Sequence, residues 1–235
     1  MESEPNRPKT GLLLSGGMDS AILLDQLLSH GWQVVPFYVR TACVWQACEL
    51  GAIEHFLADL EQPALNPLVT FDMPLNDLYG DHWSLSGTGA PDESSSDEAV
   101  YLPGRNPLLL IKPVLWCRLN GIGNLAMATL ANNPFRDATP EFFARFEEMI
   151  KAAADGQVHI SRPFEHLTKN DVLELGRHLP LQHTFSCLAP VAGLHCGHCN
   201  KCAERRRAFH AMDIYDPTEY AEAVTSITSR REAAE

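Results

Sequence analysis

Two stretches of the chain carry residues whose types and spacing could do chemistry. The first is Ser15-Gly16-Gly17-Met18-Asp19-Ser20. An apolar run, 12–14, leads into it, and an amphipathic stretch with Ile22, Leu23, Leu24, Leu27 and Leu28 leaves it and stops at Gly31. This pattern predicts a buried strand, a tight turn and a helix. The glycines permit φ > 0 and let a ligand come close to the main chain. Asp19 or Ser20 is expected to cap the helix, and Gly31 to close it. Backbone N–H groups then gather at the positive end of a helix dipole, an anion site whose commonest occupant is phosphate. Ser15 and Ser20 add hydroxyl donors. Asp19 beside a phosphate calls for a divalent cation between the two. No G-x-x-x-x-G-K-[ST] and no G-x-G-x-x-G occurs, so this is neither a Walker loop nor a Rossmann fingerprint.

The second stretch is Cys187-x8-Cys196-x2-Cys199-x2-Cys202. Four thiolates can surround one Zn2+ tetrahedrally, and a site closed by four sulfurs is structural. Gly197 lets the C-G-H-C-N-K-C run turn tightly. His195 and His198 are rival ligands by residue type and read as flanking residues. An iron–sulfur cluster remains open, because it uses the same four thiolates. Cys43, Cys48 and Cys117 read as small buried apolar residues.

Strand and helix signals alternate around these stretches. Residues 33–39 read as a second strand, 43–60 as a helix, 68–73 as a third strand and 124–130 as a fourth. A helix from Asn106 as cap and Pro107 in its first turn runs through Leu119, with Arg105 at its electropositive start, a place that suits an opposing polyanion. A helix over 140–154 starts at a proline, a short strand covers 158–160, and Thr168 opens a further helix with a capping-box pattern that ends at Gly176 or near Pro180. The alternation predicts a doubly wound, mostly parallel sheet. Ligands of such sheets sit at the carboxyl ends of strands, where the 15–20 turn and the loop 131–137 lie. Residues 84–99, rich in Ser, Gly, Asp and Glu, read as a mobile loop, either a lid or an inert insertion. Arg205, Arg206 and Arg207 spread around a helix and read as a solvated run.

Composition narrows the classes. A chain of 235 residues with 45% hydrophobic residues makes one large domain or one domain with a small appendage. Its mean hydropathy of -0.14 is that of an ordinary soluble protein. The net charge of -12 argues against broad nucleic-acid binding. No apolar run reaches the length of a membrane span, and the polar start MESEPNRPKT lacks a hydrophobic signal region. Clustered cysteines in such a chain point to a reduced compartment, the cytoplasm.

Ser-Gly-Gly-Met-Asp-Ser resembles the PP-loop of the N-type ATP pyrophosphatases. Taken with Tyr101-Leu102-Pro103-Gly104-Arg105-Asn106, with Pro163, Phe164, Leu167, Thr168 and Lys169, and with the cysteine spacing, in this order, the chain resembles the QueC/ExsB family of 7-cyano-7-deazaguanine synthases over about 11–212. The resemblance implies an adenine nucleotide alpha hydrolase-like domain over 1–183. A zinc-binding segment with C-terminal helices, 184–235, would pack with it as one unit. It implies a ligase that takes 7-carboxy-7-deazaguanine, ATP and ammonia, adenylates the carboxylate, forms the amide and dehydrates it to the nitrile preQ0, a queuosine precursor. Leu14, Ser15, Gly16, Gly17, Met18, Asp19 and Ser20 would then bind ATP with Mg2+. Asp19, Arg105 and Lys169 would be catalytic. Arg40, Arg105, Asn106, Phe135 and Asp137 would meet the substrate, and Cys187, Cys196, Cys199 and Cys202 would hold Zn2+. A homodimer suits the family; no nucleic acid or membrane partner is implied.

Two elements depart from the family pattern. Tyr38-Val39-Arg40-Thr41-Ala42-Cys43 stands where many members carry Gln-Arg-His, and Phe135-Arg136-Asp137-Ala138-Thr139 where many carry Tyr-Pro-Asp-Cys-Arg. Both bear on the acyl donor and acceptor and not on the ATP chemistry. They keep an alternative in view: a related ligase that stops at the amide or joins the deazaguanine carboxylate to another amine, including a protein's. A tRNA-modifying PP-loop enzyme fits less well, since thiolation needs a reactive cysteine pair and the paired cysteines here serve the metal. A nucleotide-binding module without catalysis ranks last.

Overall fold

The computed structural model describes residues 7–60, 62–131 and 133–222. The elements run β1 (Lys9–Leu13), α1 (Met18–Ser29), β2 (Gln33–Arg40), α2 (Gln46–Leu60), β3 (Val69–Asp72), the single turns α3 (Asn76–Tyr79) and α4 (Trp83–Ser86), α5 (Arg105–Leu119), β4 (Asn124–Ala126), α6 (Pro140–Ala154), β5 (His159–Ser161), α7 (Lys169–Leu175) and α8 (Asn200–Ala211). The strands form one sheet in the order β3-β2-β1-β4-β5, every pair parallel. The doubly wound parallel sheet is therefore present, and the strand order reverses beside β1, where such sheets bind ligands.

Period-two alternation builds both faces of the sheet. Leu12, Val34 and Tyr38 point to one side, where Ile22 and Leu24 of α1, Ile53 of α2, Val172 of α7 and Phe209 of α8 pack. Val35, Phe37 and Leu125 point to the other, against Leu110 and Val114 of α5 and Phe143 and Phe146 of α6. A third apolar cluster lies around the four cysteines and includes Trp45, Val100, Leu102 and Phe185. Among the described residues no helix is long and apolar enough to cross a membrane.

Several expectations need correction. Strand β4 stops at Ala126, well short of 130. Its ladder partner β5 is three residues long and is followed by Arg162 and Pro163, and proline has no N–H to continue the pairing. Helix α1 is not capped by Asp19 or Ser20; Gly17 is its N-cap and no side chain caps it. Helix α5 begins two residues early, with Gly104 as N-cap at φ +76°, a conformation that favours glycine. Asn106 is not the cap. Asp137, 31 residues away, accepts the Asn106 N–H at 3.1 Å and does the capping from another loop. Cys43 and Cys117 are buried as expected, but Cys48 is only half-buried.

Residues 84–99 are not a free loop. Asp92 pairs with Cys199 in an antiparallel bridge. Glu93 N–H donates to His198 O, and Asn200 N–H to Pro91 O, each at 2.9 Å. Arg206 holds the Glu93 carboxylate at 2.7 Å. The segment straps the cysteine lobe, and its polar residues make the local bonds, as where Asp92 Oδ1 accepts from the backbone of Ser94 and from the hydroxyls of Ser94 and Ser95. The arginine run is likewise not solvated throughout: Arg207 is exposed, but Arg205 is 1% exposed. The expected loose start falls partly on residues 1–6, and the expected C-terminal helices partly on 223–235; both stretches lie outside the described residues, as does Asn132 of the 131–137 loop.

Candidate active site

The carboxyl end of β1 delivers the phosphate loop. Leu14 is 2% exposed and continues the pairing by donating its N–H to Phe37 O at 2.9 Å. Ser20 Oγ accepts from Ser15 N–H at 3.2 Å and donates to Gly17 O at 3.0 Å, and Gly17 N–H reaches Ser15 Oγ at 3.4 Å. These bonds hold the loop's shape from within. Gly16 sits at φ +79°, and a side chain there would meet Glu49 O at 2.9 Å. Without a side-chain cap, the orphan N–H groups at the start of α1 are open to an anion.

Behind this loop stands an ion pair. Lys169 Nζ lies 2.8 and 2.9 Å from Asp19 Oδ1 and Oδ2. The capping box of Thr168 and Asp171 fixes the start of α7, and with it Lys169. Lys169 also lies 3.9 Å from Glu204 Oε1, whose other oxygen takes Lys201 Nζ at 2.6 Å. Burial works against the Lys169 charge, but Asp19 and Glu204 outweigh it and raise its pKa. Glu204 is lowered on balance: burial opposes its charge, and Lys169 and Lys201 overcome that.

Arg105 enters from the start of α5. Its guanidinium carbon lies 5.8 Å from the centre of the Trp45 ring, and its Nε is buried with no hydrogen-bond partner among the described residues. Glu49, in the first turn of α2, completes this side. Its Oε2 accepts the Tyr38 hydroxyl at 2.7 Å. Burial lifts the Glu49 carboxyl to about 7, against the pull of Arg105 and Tyr38. Arg105, Trp45 and Glu49 line a cleft of about 200 Å3 with Phe185, Cys187, Lys201 and Arg205.

The cysteine lobe forms one wall. The four Sγ atoms all lie within 4.8 Å of one another, and Cys196–Cys202 and Cys187–Cys199 are each 3.9 Å apart. Backbone N–H groups of Cys196, Cys199 and Cys202 point at Cys187, Cys196 and Cys199 sulfurs at 3.2, 3.3 and 3.4 Å. N–H donors around sulfurs stabilise thiolates and orient them for an ion. His195 is not among the four: its ring packs on Phe185 and its Nε2 takes the Ser186 N–H at 3.2 Å. His198 is exposed. Phe185 N–H donates to Gly16 O at 2.7 Å, joining this lobe to the phosphate loop. Arg205, behind the cleft, bonds Thr184 Oγ1 at 2.9 Å and Leu181 O at 2.8 Å.

The structure thus gathers Ser15, Gly17, Met18, Asp19, Arg105, Lys169 and Cys187 around one cleft. It does not bring the remaining expected substrate contacts there. Arg40 is spent on Asp72 at 2.7 Å at the end of the β2–β3 pair. Asn106 Nδ2 binds Asp137 O at 2.8 Å, and Phe135 stacks on Tyr101 with ring centres 5.2 Å apart. Asn106 and Asp137 hold the start of α5 and so act on Arg105 at one remove. Sequence reasoning missed Trp45, Glu49, Phe185, Lys201, Glu204 and Arg205. Lys201 lies inside the cysteine motif but at one of its variable positions, and the others belong to no spaced motif; Glu49 had only its place in the first turn after a strand as a signal.

The model of the family described as "Queuosine biosynthesis protein QueC" matches residues 9–213. A 7-cyano-7-deazaguanine synthase of Syntrophobacter fumaroxidans is 30% identical over 244 residues, covering 92% of this chain and 98% of that protein. One from Thiobacillus denitrificans is 29% identical over 235 residues, covering 92% and 99%. Among solved structures, a 4-thiouridine synthetase–RNA complex with bound ATP shares the fold at a TM-score of 0.50 and 14% identity, over 88% of this chain and 50% of that one.

Proposed function

The chain belongs to the QueC family of queuosine biosynthesis proteins, a family of ligase-type enzymes, and we propose that it converts 7-carboxy-7-deazaguanine, ammonia and ATP to 7-cyano-7-deazaguanine. The observation that carries this reading is the meeting of an uncapped phosphate loop with Arg105, whose buried Nε has no partner among the described residues. A carboxylate is a poor electrophile. Attack of its oxygen on the α-phosphorus of ATP expels pyrophosphate and turns that oxygen into part of a leaving group. Ammonia then adds to the carboxyl carbon and AMP departs. In a second round the amide oxygen is adenylated and leaves with AMP as the nitrogen gives up its protons, which leaves the nitrile.

Negative charge builds on phosphate oxygens throughout, so positioning and electrostatics carry the catalysis. The loop 14–20 would hold the phosphates, and Arg105 and Lys169 would neutralise developing charge. Mg2+, when bound, shields the phosphates, and Asp19 is the carboxylate suited to hold it. The four cysteines suit Zn2+. A zinc–sulfur bond of ~2.3 Å gives a tetrahedral edge of about 3.8 Å, close to the two 3.9 Å separations. A cluster with an iron under each thiolate needs them spread wider.

One observation favours a second reading. Arg40, placed where the family carries its Gln-Arg-His element, is tied to Asp72 and away from the cleft. A changed acceptor side fits a ligase that stops at the amide or uses another amine. Mass spectrometry of the product after incubation with 7-carboxy-7-deazaguanine, ammonium, Mg2+ and ATP decides. A nitrile supports the first reading, an accumulating amide supports the second, and no turnover with ATP bound overturns both for this acyl donor.

A further inference from the structure

We infer that Glu49 is the catalytic base of nitrogen transfer, the group that accepts the proton lost when ammonia bonds to the activated carboxyl carbon. This rests on the adenylating reading given above. Three carboxylates line the cleft: Asp19, Glu49 and Glu204. Asp19 is gripped by Lys169 through both oxygens, and Glu204 lies between Lys201 and Lys169. A carboxylate held by ammonium groups is a weak base, because protonation would discard the pairing. Among the described residues, Glu49 alone of the three has no cation within ion-pair distance. Its Oε2 is fixed by the neutral Tyr38 hydroxyl at 2.7 Å, and among the described residues no donor reaches Oε1.

Its position is set by the fold. Helix α2 starts just beyond the carboxyl end of β2, so its first turn lies over the phosphate loop. Gly16 packs against Glu49 so closely that a side chain there would meet Glu49 O at 2.9 Å and Glu49 Cβ at 3.3 Å. The carboxyl therefore shares the cleft with the site where an acyl phosphate ester would form, and it cannot drift from it.

The proton balance is complete. The ammonia lone pair forms the N–C bond, and the carbonyl π pair moves to oxygen. One N–H proton passes to a Glu49 oxygen, leaving its bonding pair on nitrogen. The carbonyl re-forms, the C–O bond to the adenylate breaks, and AMP leaves with that pair. Glu49 returns its proton to solvent. A base that works at neutral pH should itself titrate near 7. Burial puts Glu49 there, with Arg105 from α5 and Tyr38 from β2 pulling the other way. The other titratable neighbours, Cys43 before α2 and Cys48 within it, have thiols raised by burial and stay neutral at that pH.

The test separates activation from nitrogen transfer in the full-length protein, using Glu49→Gln and Glu49→Asp. Activation is read as exchange of labelled pyrophosphate into ATP that depends on 7-carboxy-7-deazaguanine. Nitrogen transfer is read as amide formed in a single turnover with ammonium. Glu49→Gln is expected to keep exchange within about threefold of the native rate while amide formation falls ~10²–10⁴-fold. The native amide-forming rate should rise through an ionisation near pH 7 that Glu49→Gln lacks and the shorter Glu49→Asp retains at a reduced rate. Unchanged amide formation in Glu49→Gln overturns the proposal. So does an equal fall in both readouts, which would make Glu49 a ligand of ATP or its cation. If Glu49→Gln does not fold, loss of the ionisation in Glu49→Asp overturns it. No exchange in the native protein overturns the adenylating reading itself, and the proposal with it.

Discussion

Lys169 Nζ bridges both carboxylate oxygens of Asp19, at 2.8 and 2.9 Å, and so ties the start of α7 to the start of α1 across 150 residues of sequence. The pair sets the electrostatics of the phosphate loop, because Lys169 also feels Glu204. Removing the lysine leaves two half-buried carboxylates facing each other. Lys169→Gln is expected to lower stability by about 1–3 kcal/mol and pyrophosphate exchange by roughly two orders of magnitude. Chemical denaturation and the exchange assay measure the two effects. Full exchange in Lys169→Gln would show that Lys169 is only a strut.

Arg105 offers a planar fork of donors, one of them buried without a partner among the described residues. Lysine cannot reproduce that fork. Arg105→Lys should therefore lose most of the activity that Arg105→Ala loses, on the order of 10²-fold in kcat/KM for the carboxylate substrate. Steady-state kinetics of both variants test this. Near-native kinetics in Arg105→Lys would reduce Arg105 to a simple positive charge.

Glu49 makes stability depend on pH with a definite sign. Its carboxyl is raised in the folded protein to about 7 from an ordinary 4.5, so the protonated form fits the fold better. The contribution is whole below pH 4.5 and is lost as pH rises through about 7. Denaturant midpoints taken from pH 5 to pH 8 should fall more steeply for the native protein than for Glu49→Gln. Parallel curves would remove Glu49 as the cause.

The four cysteines sit at the centre of the third apolar cluster, with Trp45, Val100, Leu102 and Phe185 around them. Cys202→Ser is expected to abolish binding of one Zn2+ per chain, read by elemental analysis. It should cost several kcal/mol, since metal binding energy here is folding energy. Retention of a full equivalent of zinc with native stability would reject the four-sulfur site.

Arg205 is a different test of burial. It is 1% exposed and bonds Thr184, Leu181 and Thr218. Arg205→Met removes the charge but strands those acceptors, so a loss of about 1–3 kcal/mol is expected in thermal or chemical unfolding. A variant as stable as the native protein would mean that the loop 181–184 is held by its own turn bonds.

What could be read from the chain follows from how local each signal is. The phosphate loop and the cysteine spacing are contiguous patterns, and their neighbours carry the period-two and helical rhythms that place them. The Thr168 capping box was readable for the same reason, since its two halves are three residues apart. The start of α5 was not. Asn106 is a good cap by type, but Asp137 took the role from a loop that composition does not connect to it. Residues 84–99 were misjudged because a polar segment looks unattached until the partner that receives its hydrogen bonds, here the cysteine lobe, is known. Glu49 was invisible because an acid in the first turn of a helix is ordinary; only the proximity of Gly16 and Tyr38 gives it meaning.

The bond from Phe185 N–H to Gly16 O, 2.7 Å long, sits two residues before the first cysteine of the lobe. It gives the loop 15–20 a tether outside its own strand and helix. The segment that braces the loop runs directly into the four clustered sulfurs, so the loop and the cysteine lobe share one mechanical link, and a disturbance of either is felt by the other through it.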